Sequence, residues 1–373
     1  MRDVSDRWIE TCKTGGELRA KLMCHPPEAS GAEPFELTMA SASISQDSGT
    51  GPRWDAKIDV EPEVGQDTWD LVSWPGSWFD LQVGWRYGPG TEELISYGQY
   101  VHRDSPTFEL RNRISLDLAD RWVDLDRAKY NVTYKPSSGS RTGKVQEAVR
   151  TALGEDQPIS IRIDSGGSIS GEVGWEERAQ LIADLAKDGG FEAYFDYDGT
   201  FIMDDMPEIG GAVHTFSDSS EADIIDLSRG GRFTEFYNRV SVVPQNPEEI
   251  DFTPQVATLD EPNHPLDPRN MRGVYVVYKH SSSTIGSSSE ASRVARRLLV
   301  KVMRQKLDRE IRSYNLAHIE PGDTVKVALG ASQTEPAAVI DWLVAKTSYD
   351  PLTGSSSLTL TSSLEPEIEQ EAA

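Results

Sequence analysis

Two distant segments of the chain follow the same order of strands and turns. The first opens at Pro75-Gly76 and the second at Pro321-Gly322. Each then alternates as a strand does, turns at a Thr-Glu pair, forms a second strand containing Ile and Val, reaches a polar residue before proline, and closes with a short strand. Turns reuse Gly, Pro, Asp and Ser for physical reasons, so a chance likeness is one interpretation. The other is that the chain carries two copies of one small β-barrel, and this constrains the fold more than any other feature.

The stretch ELISYGQYVH, residues 93–102, indicates what kind of sheet the first copy forms. Its spacing has period two, as in a strand, but both faces are mixed and Gly98 lies in the middle. A glycine inside a strand suits a curved sheet or small barrel better than a flat sheet. Further strands are predicted from Phe35 to about Tyr130, in FELTMASASISQ, RWDAKIDV, SWFDLQVGWRYG and RISLDLADRW. ELRAKLMCH, residues 17–25, fits either the opening helix or a first strand.

The middle of the chain changes character at YKPSSGSRTG, which is typical of a linker. GKVQEAVRTALGE and GWEERAQLIADLAKDGG predict two helices. The second has one apolar stripe and a stop at Gly189; the stripe is formed by Trp175, Ala179, Ile182, Leu185 and Ala186. Two strands then flank Asp198-Gly199, which predicts a two-residue hairpin turn. This region is therefore predicted to be a small α/β insert.

β signals return after the insert, at EFYNRVSVVP and GVYVVYKH. A long basic helix is predicted from about Glu290 to Arg312, and three strands follow it. The predicted domains are a first β-barrel at 1–135, the α/β insert at 136–215, a second β-barrel with the long helix at 216–364, and a flexible acidic tail at 365–373.

Length and charge exclude several classes of protein. A chain of 373 residues predicts about two to three domains. Its net charge of −24 argues against sequence-independent binding to nucleic acid and against binding to anionic membranes. A hydrophobic content of 37% is low for a compact globule and suits an elongated or ring-forming protein. Cys12 and Cys24 indicate reduced thiols, and neither a signal peptide nor a membrane-spanning run is visible.

Motifs for catalysis or metal binding are not found. The DYDG sequence at 196–199 places its glycine too early for an EF-hand calcium loop, so a hairpin turn is the better interpretation. G-x-S-x-G, H-E-x-x-H and C-x-x-C do not occur, and the six histidines stand far apart in the sequence. We therefore predict no catalytic residue, no cofactor and no metal site.

Two clusters of residues are candidates for an interface. Trp69, Trp74, Trp78 and Trp85 fall within one short span; they fit a core and interface cluster, or a platform on which sugars stack. The long helix carries the only cationic island, which is either a solvated face or a contact with the acidic surface of a neighbouring subunit. The candidate interface residues are Trp74, Trp78, Arg293, Arg296, Arg297 and Arg304.

The order of β-domain, α/β insert and β-domain resembles the baseplate hub or tail-tip hub proteins of tailed bacteriophages. The segments that carry the resemblance are ELISYGQYVHRDSP, GWEERAQLIADLAKDGGFEAYFDYDGTF, EFYNRVSVVP and SYNLAHIEPGDTVKV. The opening MRDVSDRWIE is similar to minor tail proteins of phages infecting actinobacteria. The resemblance implies a mainly β fold in which two tail-tube-like β-barrel domains flank a small α/β region.

The resemblance also implies a function. Three copies would form a ring at the distal end of the tail, with six similar barrels facing the tail tube and distal tail protein and a threefold face for a tip, spike or fibre protein. The tape-measure protein would be a further partner, and DNA would only pass through. Some relatives carry a peptidase or lysozyme extension that is absent here, so we expect no enzymatic activity. A carbohydrate-binding module or cell-wall hydrolase of the tail tip is the alternative, and a contractile-injection baseplate is a third possibility.

Overall fold

The computed structural model describes residues 2, 4–61, 68–109, 113–136, 138–163, 166–169, 173–217, 224–231, 236–245, 252–304, 307–329, 338–361 and 368–372. Its helices are α1 (Asp6–Thr14), α2 (Thr68–Ser73), α3 (Trp122–Arg127), α4 (Arg141–Leu153), α5 (Arg178–Gly189) and α6 (Ser288–Arg304). Its strands are β1 (Glu17–His25), β2 (Phe35–Asp47), β3 (Trp54–Glu61), β4 (Trp78–Gly88), β5 (Thr91–His102), β6 (Thr107–Glu109), β7 (Arg113–Ala119), β8 (Lys129–Tyr134), β9 (Ile159–Arg162), β10 (Trp175–Glu177), β11 (Phe191–Phe195), β12 (Phe201–Asp205), β13 (His214–Ser217), β14 (Asp226–Gly231), β15 (Arg239–Pro244), β16 (Gln255–Leu259), β17 (Val277–Ser282), β18 (Leu307–Tyr314), β19 (Thr324–Leu329), β20 (Ala338–Tyr349), β21 (Ser355–Thr361) and β22 (Ile368–Ala372). The prediction of a mainly β chain with an α/β insert is confirmed.

The first β unit is a closed antiparallel barrel of six strands. They follow the order β1-β4-β5-β7-β3-β2, and pairing of β1 with β2 closes the ring of strands. The strands alternate between the inside and the outside of the barrel: Trp54, Ala56, Ile58 and Val60 of β3 point into one apolar core, while the residues between them face outward. ELRAKLMCH is therefore a strand, β1, and the opening helix α1 ends before it.

Gly98 lies at an irregularity in the barrel, as its place in the sequence suggests. The register between β4 and β5 shifts at this point, so that Leu81 opposes Gly98 and Gln82 opposes Ser96. A Cβ atom on Gly98 would lie 2.9 Å from the side chain of Tyr100, which is closer than carbon atoms normally approach. The bulge bends the strand, and the glycine leaves space for the Tyr100 ring inside the curve.

The α/β insert has its own hydrophobic core. Helices α4 and α5 pack on the three-stranded sheet β11-β12-β9, and β8 pairs with β10. Helix α5 buries the predicted stripe except for Trp175, which is buried from strand β10. The helix includes Gly189, and the residue that caps it is Gly190, whose φ of 70° is left-handed, so the predicted stop residue was one position early.

The hairpin between β11 and β12 has a three-residue loop instead of the predicted two-residue turn. The N–H of Asp196 donates to the carbonyl of Thr200 at 2.8 Å, which leaves Tyr197, Asp198 and Gly199 in the loop. Gly199 has a φ of 78°. A type I turn followed by a left-handed residue is the usual form of such a loop, and it places the glycine last.

The predicted domain 216–364 contains two hydrophobic cores. One lies between α6 and the sheet β17-β15-β16-β22. The other lies against a sheet of six strands in the order β13-β19-β20-β21-β18-β14. The predicted helix from Glu290 to Arg312 was too long, because α6 ends at Arg304 and β18 begins at Leu307. Ile311, predicted within that helix, instead points from β18 into the second core. The domain boundaries themselves stay a prediction.

The two β units share one strand order. When the short strand β6 is left out and the strands of each unit are numbered along the chain, both sheets have the order first, fourth, fifth, sixth, third, second. They differ at the first strand, since β13 is parallel to β19 whereas β1 is antiparallel to β4. In the part of the second unit that the structure describes, β13 and β14 do not pair with each other. The internal likeness of the sequence thus corresponds to a likeness of topology.

Candidate functional site

The two β units meet edge to edge. The end of β2 pairs with the end of β20, antiparallel, so that Ile44 opposes Tyr349 and Ser45 opposes Ser348. Lys346 and Asp47 form an ion pair of 3.2 Å across the same pair of strands. Continuous backbone hydrogen bonding fixes the register of one unit relative to the other, so this junction determines how the units are presented to a partner.

Arg2 reinforces the junction from inside. Its guanidinium is 2% exposed and donates to the carbonyl of Tyr97 at 3.0 Å and to that of Ala317. It lies 4.3 Å from the centre of the Tyr97 ring and 3.4 Å from a carboxylate oxygen of Glu320. Tyr97 belongs to the barrel, whereas Ala317 and Glu320 precede β19, so one buried cation joins both units.

Asp120 joins the barrel to α3, whose Trp122 and Leu125 are buried in the core of the insert. Its carboxylate accepts hydrogen bonds from the backbone N–H groups of Arg53 at 2.6 Å, Trp54 at 3.1 Å and Trp122 at 2.9 Å. Burial raises the pKa of Asp120 to about 6, although the three N–H groups act in the opposite direction. One side chain thus holds the start of β3 against the start of α3.

The four clustered tryptophans have different surroundings. Trp85 is buried in the barrel core, where its ring lies edge-on to Trp8. Trp78 is half-buried, and its ring stacks on His25 with centroids 3.7 Å apart. Trp69 and Trp74 are 37% and 39% exposed. The four rings therefore do not form one platform.

A pocket of ≈ 390 Å³ lies beside Trp78, next to the turn at Pro75-Gly76. Gln99 of β5 contributes an amide, and Arg121 and Asp124 contribute charges at the start of α3. An aromatic ring with amide and charged neighbours can bind a polar ligand with an apolar face, such as a sugar. Of the predicted interface tryptophans, Trp78 lines this pocket, and Trp74 directly precedes the lining residue Pro75 in the sequence.

The basic helix divides into two faces. Its apolar face is buried, as predicted, and consists of Ala291, Val294, Ala295, Leu298, Leu299, Val302 and Met303. Arg297 contacts the insert of the same chain: it donates to the carbonyl of Gly190 at 2.8 Å and to Asp205 at 3.2 Å. Arg293 lies 3.8 Å from Glu290 on its own helix. Arg296 is exposed, and the side chain of Arg304 lies outside the described residues. Contact with a neighbouring subunit stays a prediction for these residues.

A buried polar network between α5 and β17 was not predicted from the sequence. The carboxylate of Asp188 accepts from Ser282 at 2.7 Å and from Thr284, and it lies 2.8 Å from Nε2 of His280. Burial raises the pKa of Asp188, but the hydrogen bonds from His280, Thr284 and Ser282 outweigh it, so the pKa lies below its usual value. All three donors converge on the carboxylate, and the Ser282 hydroxyl does not point to His280. The arrangement binds α5 to β17 and lacks the relay of a hydrolase triad.

Arg141 forms a second buried contact at the same place. Its guanidinium is fully buried, donates to the carbonyls of Thr284 at 2.8 Å and Gly166 at 3.1 Å, and pairs with Glu290 at the start of α6. Asp188, Arg141 and their partners lie far apart in the sequence, so no local motif could have indicated them. Within the described residues, no group of three or more His, Cys, Asp or Glu side chains could hold a metal ion, and no helix is long and apolar enough to cross a membrane.

Comparison with solved structures relates this fold to tail proteins. No family model and no curated protein matches the sequence. The chain is similar to the tail protein from Neisseria meningitidis MC58, with a TM-score of 0.62 and 11% identity over 92% of this chain and 96% of that one. It is similar to the 43 kDa tail protein of prophage MuSo2 from Shewanella oneidensis, with a TM-score of 0.57 and 10% identity over 91% and 97%. For prophage tail protein gp18 from Listeria monocytogenes EGD-e the TM-score is 0.56, with 13% identity over 91% and 94%. The predicted likeness to phages infecting actinobacteria stays a prediction, whereas the fold of this chain is that of these tail proteins.

Proposed function

We propose that the chain is a structural component of a phage-type tail, in which three copies form a hub ring at the distal end. The observation that carries this proposal is the presence, in one chain, of two β units with the same strand order, joined edge to edge through β2 and β20. Three such chains present six similar units on one face. The remaining parts of the chain occur once per copy and keep threefold symmetry.

A ring of this kind joins two symmetries. Its six β units match a sixfold tail tube or distal tail protein, and its threefold face accepts a tip, spike or fibre protein. The tape-measure protein and DNA occupy or cross the channel. The role is mechanical and needs no catalysis, which agrees with a fold shared with tail proteins. The location that follows is the tip of the virion tail, after synthesis in the host cytoplasm.

The charge of −24 suits such a channel. A basic wall would bind the phosphates of passing DNA, since duplex DNA carries one charge about every 1.7 Å along its axis. Repulsion from an acidic wall is weak in comparison, because the Debye length is about 8 Å at physiological salt. We therefore expect Asp and Glu to line the channel without clustered Lys or Arg.

Native mass spectrometry and electron microscopy test the hub. The expected species has three times the 41.3 kDa of one chain, and class averages viewed along its axis show six similar lobes. The ring should bind the tail-tube or distal tail protein made from the same genome. A chain that stays monomeric at every concentration, alone and with that protein, contradicts the proposal.

Recognition of a surface glycan is the second candidate, on the strength of the pocket beside Trp78 and the exposed Trp74. Binding to host cell-wall glycans should then be lost in the Trp78→Ala variant. Trp69→Ala is the control, since Trp69 is a tryptophan of the same cluster that does not line the pocket. Equal binding by both variants would exclude this pocket as a glycan site.

A further inference from the structure

Strand β6 of the barrel corresponds to the end of β20 in the second unit. The Pro-Gly turns align Trp78 with Thr324, the first residues of β4 and β19. Both units end in a last strand, which is β7 in the barrel and β21 in the second unit. In the barrel, Thr107 and Phe108 of β6 oppose Ser115 and Ile114 of β7. Ser348 and Tyr349 oppose Ser357 and Ser356 at the corresponding place in the second unit. Thr107 therefore corresponds to Ser348, and Phe108 corresponds to Tyr349.

Strand β14 corresponds in the same way to β2. Ile44 of β2 opposes Ala56 of β3, and Arg229 of β14 opposes Arg309 of β18. The alignment of the last strands, β7 and β21, matches Leu118 with Leu360. Ala56 opposes Leu118, and Arg309 opposes Leu360, so Ala56 and Arg309 are equivalent. Ser45 therefore corresponds to Gly230. The end of β2 is the part that joins the two units within one chain, whereas the corresponding end of β14 has no second strand beside it in the described residues.

Exposure distinguishes the two equivalent positions. Tyr349 is 3% exposed at the junction with β2, while Phe108 is 53% exposed on β6. Strand β6 pairs only with β7, so its other edge is open among the described residues. Open edges that carry large apolar side chains are normally covered, because they otherwise pair with whatever strand they meet.

We infer that β14 of one copy adds as an antiparallel strand to β6 of the next copy, with Gly230 opposite Thr107. This contact repeats, between chains, the contact that β2 and β20 make within one chain. The contact joins different surfaces of the two copies, so it generates a closed ring only if the rotation from one copy to the next returns to the first copy. Closure of the ring at three copies rests on the proposed hub. The occupant of the β6 edge is thus a second copy of this chain.

Cysteine cross-linking tests the register. In a Cys12→Ser background, where Cys24 is buried, the Thr107→Cys/Gly230→Cys variant should form dimers and trimers on a non-reducing gel after mild oxidation. The Ser45→Cys/Ser348→Cys variant is the matched control, since these residues oppose each other within one chain and should cross-link without forming oligomers. Each single-cysteine variant should give no cross-linked trimer.

The outcomes separate this inference from the hub. A trimer by native mass whose Thr107→Cys/Gly230→Cys form does not cross-link, while the control pair does, overturns the strand pairing and leaves the hub in place. A chain that is monomeric throughout overturns both. Phe108→Asp should reduce the trimer fraction at least tenfold with an unchanged circular dichroism spectrum. Val274→Asp, which also changes a half-exposed apolar residue, should not; equal effects of the two would also overturn the inference.

Discussion

His318 should make the second β unit sensitive to acid. The imidazole is fully buried, and within the described residues neither ring nitrogen has a hydrogen-bond partner. Burial, with the nearby His214 and Arg2, lowers its pKa from 6.5 to about 3. The folded protein therefore keeps this ring neutral at pH values where the unfolded chain binds a proton.

The magnitude follows from the difference between the two states. Well above pH 6.5 the ring is neutral in both states, so it contributes no pH dependence there. As the pH falls below 6.5, the unfolded state gains stability by about 1.4 kcal/mol per pH unit, until the folded ring also binds a proton near pH 3. At pH 5 the loss of folding free energy is therefore about 2 kcal/mol.

The assay compares the wild type with His318→Leu. Urea unfolding is followed at fixed protein concentration from pH 8 to pH 5, and the difference in free energy between the two proteins is plotted against pH. The difference should be constant above about pH 7 and shift by about 2 kcal/mol in favour of the variant at pH 5. Asp120 acts in the opposite direction, because its raised pKa stabilises the fold as the pH falls below about 6, but it is present in both proteins and cancels. Curves that stay parallel down to pH 5 would refute the reasoning.

Three further outcomes follow from contacts within the chain. Asp120→Ala leaves three backbone N–H groups without their acceptor and should destabilise the fold by about 3 kcal/mol or more, measured by urea unfolding at pH 7. Asp188→Ala should raise amide hydrogen exchange in α5 and β17 while exchange in the barrel stays unchanged; uniform exchange would show that the network does not join these elements. Arg297→Glu should lower the melting temperature of the monomer, because Arg297 binds the insert, whereas Arg296→Glu should leave that temperature unchanged and impair only assembly. Equal melting temperatures for both variants would contradict the assignment of the two faces of α6.

The sequence predicted most where physical rules are local. Alternation identified the barrel strands, and the Pro-Gly turns at 75 and 321 indicated a repeat that the strand order confirms. These local rules failed where a segment fits both the helical period of 3.6 residues and the strand period of two residues. The basic segment continued as a helix past Arg304 in the prediction, because Leu307 also fits a helical stripe, but the alternation of LDREIRSY places Ile311 in a sheet core.

The contacts that hold the modules together lay beyond such rules. Asp188 meets His280, and Arg2 meets Glu320, only after the chain has folded. A charged residue in a chain with 61 acidic side chains gives no local sign that it will be buried. Periodicity identifies which face of an element is apolar, whereas these pairings depend on how complete modules dock.

The long connection between β14 and β18 in the second unit lies where it can affect assembly. In the barrel, a short connection at residues 48–53 joins β2 to β3, whereas the equivalent connection from β14 to β18 contains the sheet β17-β15-β16 and helix α6. That connection leaves β14 at Gly231, beside the residues that we infer to pair with the next copy. The connection to the module carrying α6 therefore starts next to the inferred junction between chains, and we expect the acidic surface of a neighbouring copy to lie near this module. This placement gives a physical reason why the exposed Arg296 should affect assembly while Arg297, which is already bound within its own chain, should affect folding.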